Sequence, residues 1–254
     1  MTGATSPTTT TLSLRKAGWI EPKNTPETYI MKNISLLIVT LLVSLTASAQ
    51  TVPLKSEGRD TAYVRTIITR ATKNISALKL TGEKHEAVRN IVANKYFLLN
   101  DIYSERDKAL KFAKDSLTGS EKKTATEAAR MKCDSRLYRA HFAFDAQLSL
   151  YLTPEEVTAI KDAMTYNKVK VTYDVYLDQI PALTDEEKAQ MYAWLTEARE
   201  LAIDAEGSKQ KHEVFNKYKG RVNNYLSKRG YDLNKEREAW FKRLKEREKS
   251  KEGK

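Results

Sequence analysis

Residues 88–110 read VRNIVANKYFLLNDIYSERDKAL, and their apolar side chains recur at intervals of three and four positions. Positions with that spacing lie on one face of an α-helix, so the stretch predicts one long amphipathic helix that continues to about Asp115. The stripe consists of Val88, Ile91, Val92, Tyr96, Leu99, Ile102, Tyr103 and Leu110. A chain built around such a helix needs further elements to cover its apolar face.

The same period continues on both sides of this helix. An apolar stripe from Val64 to Leu78 predicts a helix before it, and one from Leu137 to Tyr151 predicts a third long helix. Four further helices are expected over residues 154–165, 185–205, 208–229 and 233–250. The chain is therefore expected to form a single all-α domain of about seven helices packed as antiparallel hairpins, with no convincing strand.

One segment breaks the helical period. Residues 166–173 read YNKVKVTY, in which Val169, Val171 and Tyr173 alternate with other side chains. This alternation predicts an extended connector between an N-terminal and a C-terminal helical half. The aromatic and basic side chains of the connector either line a groove or simply pack against neighbouring helices.

Four predicted helix joints share the dipeptide Leu-Thr, at residues 80–81, 117–118, 152–153 and 183–184. In three of them a Glu follows three positions after the Thr, at Glu121, Glu156 and Glu187. This is the spacing of a capping box, in which the Thr hydroxyl and the Glu carboxylate each accept from a free amide of the first turn. The joints fit a solenoid repeat or, more simply, similar helix starts in a non-repeating bundle.

Composition narrows the class of protein. The 254 residues include 9 Gly, 6 Pro and one Cys, which excludes a disulfide-stapled miniprotein and a collagen-like rod. Because Cys133 is alone, no disulfide can form within the chain, and a buried or idle thiol is expected. The 44 basic residues outnumber the 33 acidic ones, and the net charge of +11 favours acidic partners without identifying one.

Residues 31–49 carry the three parts of a secretory signal peptide. Met31-Lys32-Asn33 is a short basic start, residues 34–46 are uncharged and apolar, and Ala47-Ser48-Ala49 supplies the small residues of a cleavage site. A stable membrane-spanning helix needs about 20 apolar residues, more than this run provides. The protein is therefore predicted to be exported, to the periplasm or the cell exterior, with no stable membrane span after cleavage.

Residues 1–30 are rich in Thr and show no period of a helix or a strand. Because a signal peptide normally begins at the initiator, translation is expected to start at Met31, and residues 1–30 to be a non-native or disordered leader. The alternative is a long leader before an uncleaved anchor. Residues 50–254 then form the helical domain, with its core in 59–240. An exported protein is not expected to bind nucleic acid.

The sequence contains few motifs that indicate metal binding or catalysis. The three histidines, His85, His141 and His212, fall on three different predicted helices, without the paired motif of a zinc protease or of a di-iron bundle. His141 and Asp145 share a helix face but supply at most two ligands, so no metal site is predicted. Neither a Gly-x-Ser-x-Gly elbow nor a Gly-rich phosphate loop occurs, and no cofactor is predicted.

The strongest candidate for a ligand site is the helix predicted after Gly207, with Ser208 as its cap. His212, Asn216, Lys219 and Asn223 form one polar stripe along it, and a basic edge runs beside them. The residues proposed to contact an anionic ligand, such as an acidic glycan, are Lys209, Lys211, His212, Asn216, Lys219, Arg221, Asn223, Asn224 and Tyr173. The alternative is an ordinary solvated basic face.

The same region resembles a known family. The motif reads AEGSK at 205–209, KH at 211–212, KYKGR at 217–221, NNYLS at 223–227 and GYDL at 230–233. It closely resembles an uncharacterised secreted family, a domain of unknown function common in Bacteroidetes, over roughly residues 60–240. The resemblance transfers no catalytic residues. It implies a secreted protein of bacteria that often devote such proteins to polysaccharide breakdown.

Three hypotheses for function follow. The first is a non-enzymatic accessory protein of polysaccharide utilisation that binds an acidic ligand along residues 208–228. The second is a carbohydrate-active enzyme in which Asp or Glu acts with His212 in acid–base catalysis, which needs His212 within about 3 Å of a carboxylate or ligand hydroxyl. The third is a periplasmic holdase, because the Leu-Thr-x-Glu helix starts are similar to motifs of small periplasmic stress chaperones.

Overall fold

The computed structural model describes residues 51–252, and all the regular secondary structure in this range is helical. The prediction of an all-α domain is therefore confirmed. Eight α-helices occur in this range: α1 Thr61–Ile75, α2 Gly82–Ser116, α3 Gly119–Ser149, α4 Pro154–Met164, α5 Lys168–Gln179, α6 Asp185–Ala202, α7 Ser208–Lys228 and α8 Leu233–Glu252. The predicted leader and signal peptide lie outside the described residues.

The N-terminal half of the domain is the hairpin of α2 and α3, covered by α1 and α4. Only Leu117 and Thr118 separate the two long helices, so they must run antiparallel. Their facing stripes bury Ile91 and Phe97 of α2 against Phe144 of α3, as the sequence period predicts. This burial supplies the main apolar core of the half.

The C-terminal half is built on the hairpin of α6 and α7. Leu195 and Ala198 of α6 pack against Phe215 of α7 in one cluster, and Val222 of α7 lies in a second cluster further along. Helix α5 packs on α6, and α8 packs on α5 and α7. Contacts between α4 and α6 join the two halves. Among the described residues, no helix is long and apolar enough to cross a membrane.

The predicted extended connector is wrong, because most of it forms helix α5. Tyr166 and Asn167 adopt left-handed backbone angles, and the helix then begins at Lys168. Val169, Thr172 and Tyr176 are spaced three and four apart and are all buried. A lone strand would leave its backbone amides and carbonyls unpaired, whereas a helix pairs them internally and still buries this face.

The predicted capping boxes are confirmed at two joints and wrong at a third. Thr153 and Thr184 accept from the amides of Glu156 and Glu187, whose side chains accept in return from the cap amides. The side chain of Thr118 makes no capping hydrogen bond. It is followed by Gly119, whose left-handed φ of 54° turns the chain at the first helical position. We attribute the missing bond to this turn, which differs from the regular helical start that Pro154 provides.

Candidate functional site

Charged side chains are buried where helices α2, α3, α4 and α6 meet. Lys161 of α4 donates to Asp145 of α3 at 2.6 Å and to Glu200 of α6 at 2.8 Å. Lys95 of α2 forms an ion pair with Asp204, at the end of α6, and the Lys95 side chain is only 2% exposed. Each buried ammonium therefore faces at least one carboxylate, and the pairs link helices from both halves. We call this group the buried charge network.

His141 of α3 belongs to the same network. Its Nδ1 lies 2.7 Å from Asp204 Oδ2, and its Nε2 lies 3.7 Å from Glu200 Oε2. The hydrogen bond with Asp204 raises the pKa of His141 above its ordinary value, because the carboxylate favours the protonated ring. The ring is therefore held between two carboxylates as a structural contact.

The sequence predicts two ligands at most on this face of α3, and the fold adds a third. His141, Asp145 and Glu200 present ligand atoms within 4.8 Å of one another. However, the ammonium of Lys161 already bridges the two carboxylates. A lysine ammonium in that position supplies the positive charge that a metal ion would bring. The triple is therefore fully explained as part of the buried charge network.

A different arrangement surrounds Lys211, in a cleft of about 710 Å³. The cleft lies between α1, α2, the end of α4 and the start of α7. We call it the Lys211 cleft. The polar and aromatic residues that line it include Tyr63, Arg70, Asn74, Tyr96, Tyr103, Tyr166, Ser208 and Lys211. Such a volume, walled by aromatic rings with a few converging polar groups, is typical of a site for a small ligand.

Lys211 carries a buried charge without a carboxylate. The residue is 5% exposed, and its Nζ donates to the carbonyl oxygen of Met164 at 2.9 Å. The Nζ also lies 5.6 Å from the centre of the Tyr96 ring. Among the described residues no carboxylate oxygen lies within 4.0 Å of this ammonium. Burial, reinforced by the nearby charge of Arg70, lowers the pKa of Lys211 to about 8.

The residues that line the cleft carry charges of both signs. Arg70 lies over the Tyr96 ring at 5.4 Å, near Lys211, and has no ion pair with a carboxylate of the described chain. The carboxylates of Asp107 and Glu206 are both held by Arg106, at 2.6 and 2.9 Å. The two carboxylates are thus partly neutralised by Arg106, whereas Arg70 and Lys211 have no ion pair with a carboxylate of the described residues.

The start of α7 supplies further hydrogen-bond donors to the cleft. The predicted cap at Ser208 is wrong, since Gly207 occupies the cap position and Ser208 is the first helical residue. Because Gly207 has no side chain, no capping hydrogen bond satisfies the first amides of α7. Gly207 and Ser208 both line the cleft. Free amides at a helix start, together with the helix dipole, favour a bound anion.

Only Lys211 of the predicted ligand residues lines the cleft. The ring of His212 stacks on Tyr166 with the centres 5.4 Å apart, so His212 supports the cleft wall from outside. Asn223 accepts a hydrogen bond from the hydroxyl of Tyr176 at 2.6 Å and links α7 to α5. Lys219 is exposed beside it, on a shallow groove formed with α5 and α8.

The remaining predicted residues point to other parts of the surface. Arg221 lies over the Trp194 ring at 4.4 Å and pairs with Glu197 at 3.2 Å, and Asn224 borders the same open groove. Asn216 and Lys209 are exposed, and Tyr173 packs edge-to-face on another tyrosine, Tyr192. The structure therefore does not bring the nine residues into one site.

The cleft residues that sequence reasoning missed come from α1 and α2. Arg70 lies among exposed polar residues of α1, and nothing in its surroundings distinguishes it from a solvated arginine. Tyr96 fits the apolar stripe of α2, and its hydroxyl accepts from Asn74 at 2.8 Å. The one available signal was Asn74, a polar residue that lies one position before the stripe residue Ile75.

Comparison with protein families identifies the family of this chain. The family model described as "Protein of unknown function (DUF3826)" matches residues 64–246, which include all of the cleft-lining residues named above except Tyr63. No curated protein matches the chain.

Proposed function

We propose that this chain, which belongs to the DUF3826 family of proteins of unknown function, binds an anionic saccharide in the Lys211 cleft. The observation that carries the proposal is a buried ammonium with no carboxylate partner, facing a cleft of about 710 Å³. Burying an unpaired charge is costly, and an anionic ligand is the partner that would offset the cost.

Three groups would hold the acidic part of the ligand. Lys211 and Arg70 supply charge, and the amides at the start of α7 supply hydrogen-bond donors. A carboxylate accepts well from all three kinds of donor, since charge-assisted hydrogen bonds are the strong ones. A uronic acid, the acidic sugar of many polysaccharides, carries such a carboxylate.

The rest of the cleft suits the hydroxyl-bearing ring of a sugar. Asn100, Ser104 and Ser208 line it with polar side chains, and four tyrosines supply flat apolar surfaces. Tyrosines combine an apolar ring with a polar hydroxyl, a mixture that matches the faces and edges of a pyranose. We therefore favour an acidic saccharide over a simple inorganic anion.

Export and a role in polysaccharide utilisation complete the proposal. Both come from the signal-peptide pattern at residues 31–49 and from the resemblance of the C-terminal motif. If the protein is exported, N-terminal sequencing of the mature form will begin at Gln50. A mature protein that begins at Met1 or Met31 would contradict this part of the proposal without affecting the cleft.

The binding test compares trigalacturonate with uncharged galactotriose by calorimetry. We expect the acidic sugar to bind, and Arg70→Ala to weaken binding at least about tenfold, or 1.4 kcal/mol. The matched control is the double variant Lys219→Ala and Arg221→Ala, which removes two charges from the open face of α7. If this control abolishes binding and Arg70→Ala does not, the ligand binds along the open face and the cleft proposal is wrong.

A second candidate function, a carbohydrate-active enzyme, is favoured by a separate observation. His141, rather than His212, lies within 3 Å of a carboxylate, and it borders a groove of about 480 Å³ walled by Tyr138 and Phe142. A His–carboxylate pair at a groove can transfer protons. The test is release of reducing ends from acidic oligosaccharides. Activity that His141→Gln removes, with folding intact, would support the enzyme, and no release by the parent protein would exclude it for those substrates.

A further inference from the structure

We propose that Lys211 is also a nucleophile, which captures an anionic aldehyde or ketone held in the Lys211 cleft as a covalent imine. The inference rests on the proposed function, because binding of the anion is what brings the carbonyl carbon to the amine. It adds a chemical requirement to the ligand, namely a carbonyl group near the acidic group.

The geometry leaves the Lys211 amine available. Lys161 is held by carboxylates on two sides, and Lys95 by the ion pair with Asp204. Lys211 instead donates a single hydrogen bond, to the carbonyl oxygen of Met164. That bond fixes the nitrogen at the cleft wall and leaves its remaining valences free. A positioned amine with no ion pair to break is what imine formation needs.

The surroundings also keep part of the amine neutral. Only the unprotonated amine attacks a carbonyl, and an ordinary lysine is almost wholly protonated at pH 8. Burial and the adjacent Arg70 lower the pKa of Lys211 to about 8, so about half of the molecules carry a neutral amine at that pH. Desolvation beside a second cation is a known way to activate a lysine.

The reaction is a condensation in which no group is oxidised or reduced. The neutral amine nitrogen attacks the carbonyl carbon, the C–N bond forms and the C=O π bond breaks; the oxygen takes up a proton and the nitrogen releases one, which gives a neutral carbinolamine. The carbinolamine hydroxyl then takes a second proton and leaves as water, and the product is a protonated imine. Counted from the ammonium form, one ammonium and one carbonyl give one iminium and one water.

Tyr96 is the proton donor that the cleft offers. Its hydroxyl accepts from Asn74, and among the described residues no acceptor takes the hydroxyl's own proton. Burial raises the pKa of Tyr96, so the phenol stays protonated at neutral pH. Since Lys211 Nζ lies 5.6 Å from the Tyr96 ring, a carbonyl bound between them is close to both groups.

This chemistry defines the substrate class. The ligand must carry a carboxylate for Arg70 and the α7 amides, and an aldehyde or ketone for Lys211. A 2-oxo acid meets both requirements, and so does the open-chain form of a uronic acid at the reducing end of an oligosaccharide. Saccharides that carry the acid but no free carbonyl would bind without reacting.

The experiment traps the imine in the full chain. Glyoxylate, an anionic aldehyde, is added at pH 8 with cyanoborohydride, and the carboxymethylated lysines are identified by peptide mass spectrometry. The exposed Lys209, two positions away, is the internal comparator, and neutral glycolaldehyde is the matched probe. We expect glyoxylate to modify Lys211 at least about tenfold faster than Lys209. The preference should weaken with glycolaldehyde and in Arg70→Ala.

Two variants and one binding measurement separate the two proposals. Lys211→Arg removes the primary amine, so the modification at position 211 should disappear. Lys209→Ala should change neither trigalacturonate binding nor the modification of Lys211. If the parent protein binds trigalacturonate but Lys211 reacts no faster than Lys209, the nucleophile proposal is wrong and the proposed function stands. If neither binding nor selective modification is found, both proposals fail.

Discussion

Two regions of this molecule bury lysine side chains. In one region the ammonium groups are paired with carboxylates, and in the other the ammonium has no carboxylate partner. In the buried charge network, Lys161 lies between Asp145 and Glu200, which supply its counter-charge. In the Lys211 cleft, the ammonium contacts the carbonyl oxygen of Met164 and lies near the Tyr96 ring. It borders a cleft of about 710 Å³. A buried charge that is paired within the protein indicates a structural role. An unpaired buried charge next to space indicates that a ligand completes it.

The largest expected effect comes from breaking the paired region. Asp204→Ala removes the carboxylate of Lys95, whose side chain is 2% exposed, and leaves the ammonium buried without a counter-charge. We expect the free energy of unfolding to fall by about 3–5 kcal/mol, as measured by urea denaturation. Asp174→Ala, which breaks the exposed pair with Lys170, is the control and should cost less than about 1 kcal/mol. Equal losses of unfolding free energy in the two variants would show that the buried pair stabilises the fold no more than an exposed pair does.

In the Lys211 cleft, removal of the buried charge is expected to raise the free energy of unfolding rather than lower it. Lys211→Met replaces the unpaired ammonium by an apolar side chain of similar length, and the free energy of unfolding at pH 7 should rise by about 1–3 kcal/mol. The same variant should lose trigalacturonate binding. Higher stability together with lost binding is the exchange of stability for function that is expected at a functional site. A destabilised Lys211→Met protein would instead assign Lys211 to the structural group, with Lys95 and Lys161.

The pH dependence of stability tests the same residue without a ligand. The pKa of Lys211 is lowered to about 8 in the folded chain, from 10.5 for an ordinary lysine. Between these two values the unfolded state binds more protons than the folded state, so this residue makes stability rise with pH. The cost of the buried charge is present in full below pH 8. Denaturation of the parent protein and of Lys211→Met at pH 8 and pH 10 should show this rise only in the parent.

The helices could largely be predicted from the sequence, because their signals are local. The stripe from Val88 to Leu110 marks α2 through side chains that are neighbours on one helix. The caps at Thr153 and Thr184 depend on residues three positions away. Helix α5 is harder to predict, because the alternation of Val169 and Val171 is typical of a strand, whereas the buried helical face is completed only by Tyr176, beyond residues 166–173.

The candidate site could be predicted only in part, for the opposite reason. In the sequence Lys211 is one of a run of basic residues and is not distinguished from Lys219 and Arg221, which are exposed in the folded chain. Lys211 differs from them because the fold places Tyr96 of α2 and Met164 of α4 next to its ammonium. Contacts between residues so distant in the chain leave no periodic signal, so burial of one lysine among many could not be anticipated.

The smallest expected effect concerns His141, at the edge of the buried charge network. The network holds three carboxylates, Asp145, Glu200 and Asp204, against the two ammonium groups of Lys95 and Lys161, so a protonated His141 balances its charge. Because Asp204 raises the pKa of His141 above 6.5, the folded state binds the proton more tightly than the unfolded state. This contribution is present in full below pH 6.5 and is lost as the pH rises through the raised value.

His141→Gln should therefore lose about 1 kcal/mol or less at pH 5.5, and still less at pH 9. The sign is opposite to that expected for Lys211, whose burial disfavours the charged form. Thermal denaturation of the parent, His141→Gln and Lys211→Met at both pH values compares the two regions in one experiment. If His141→Gln loses more stability at pH 9 than at pH 5.5, the protonated ring does not stabilise the network. Pairing with a carboxylate would then not explain the role of His141.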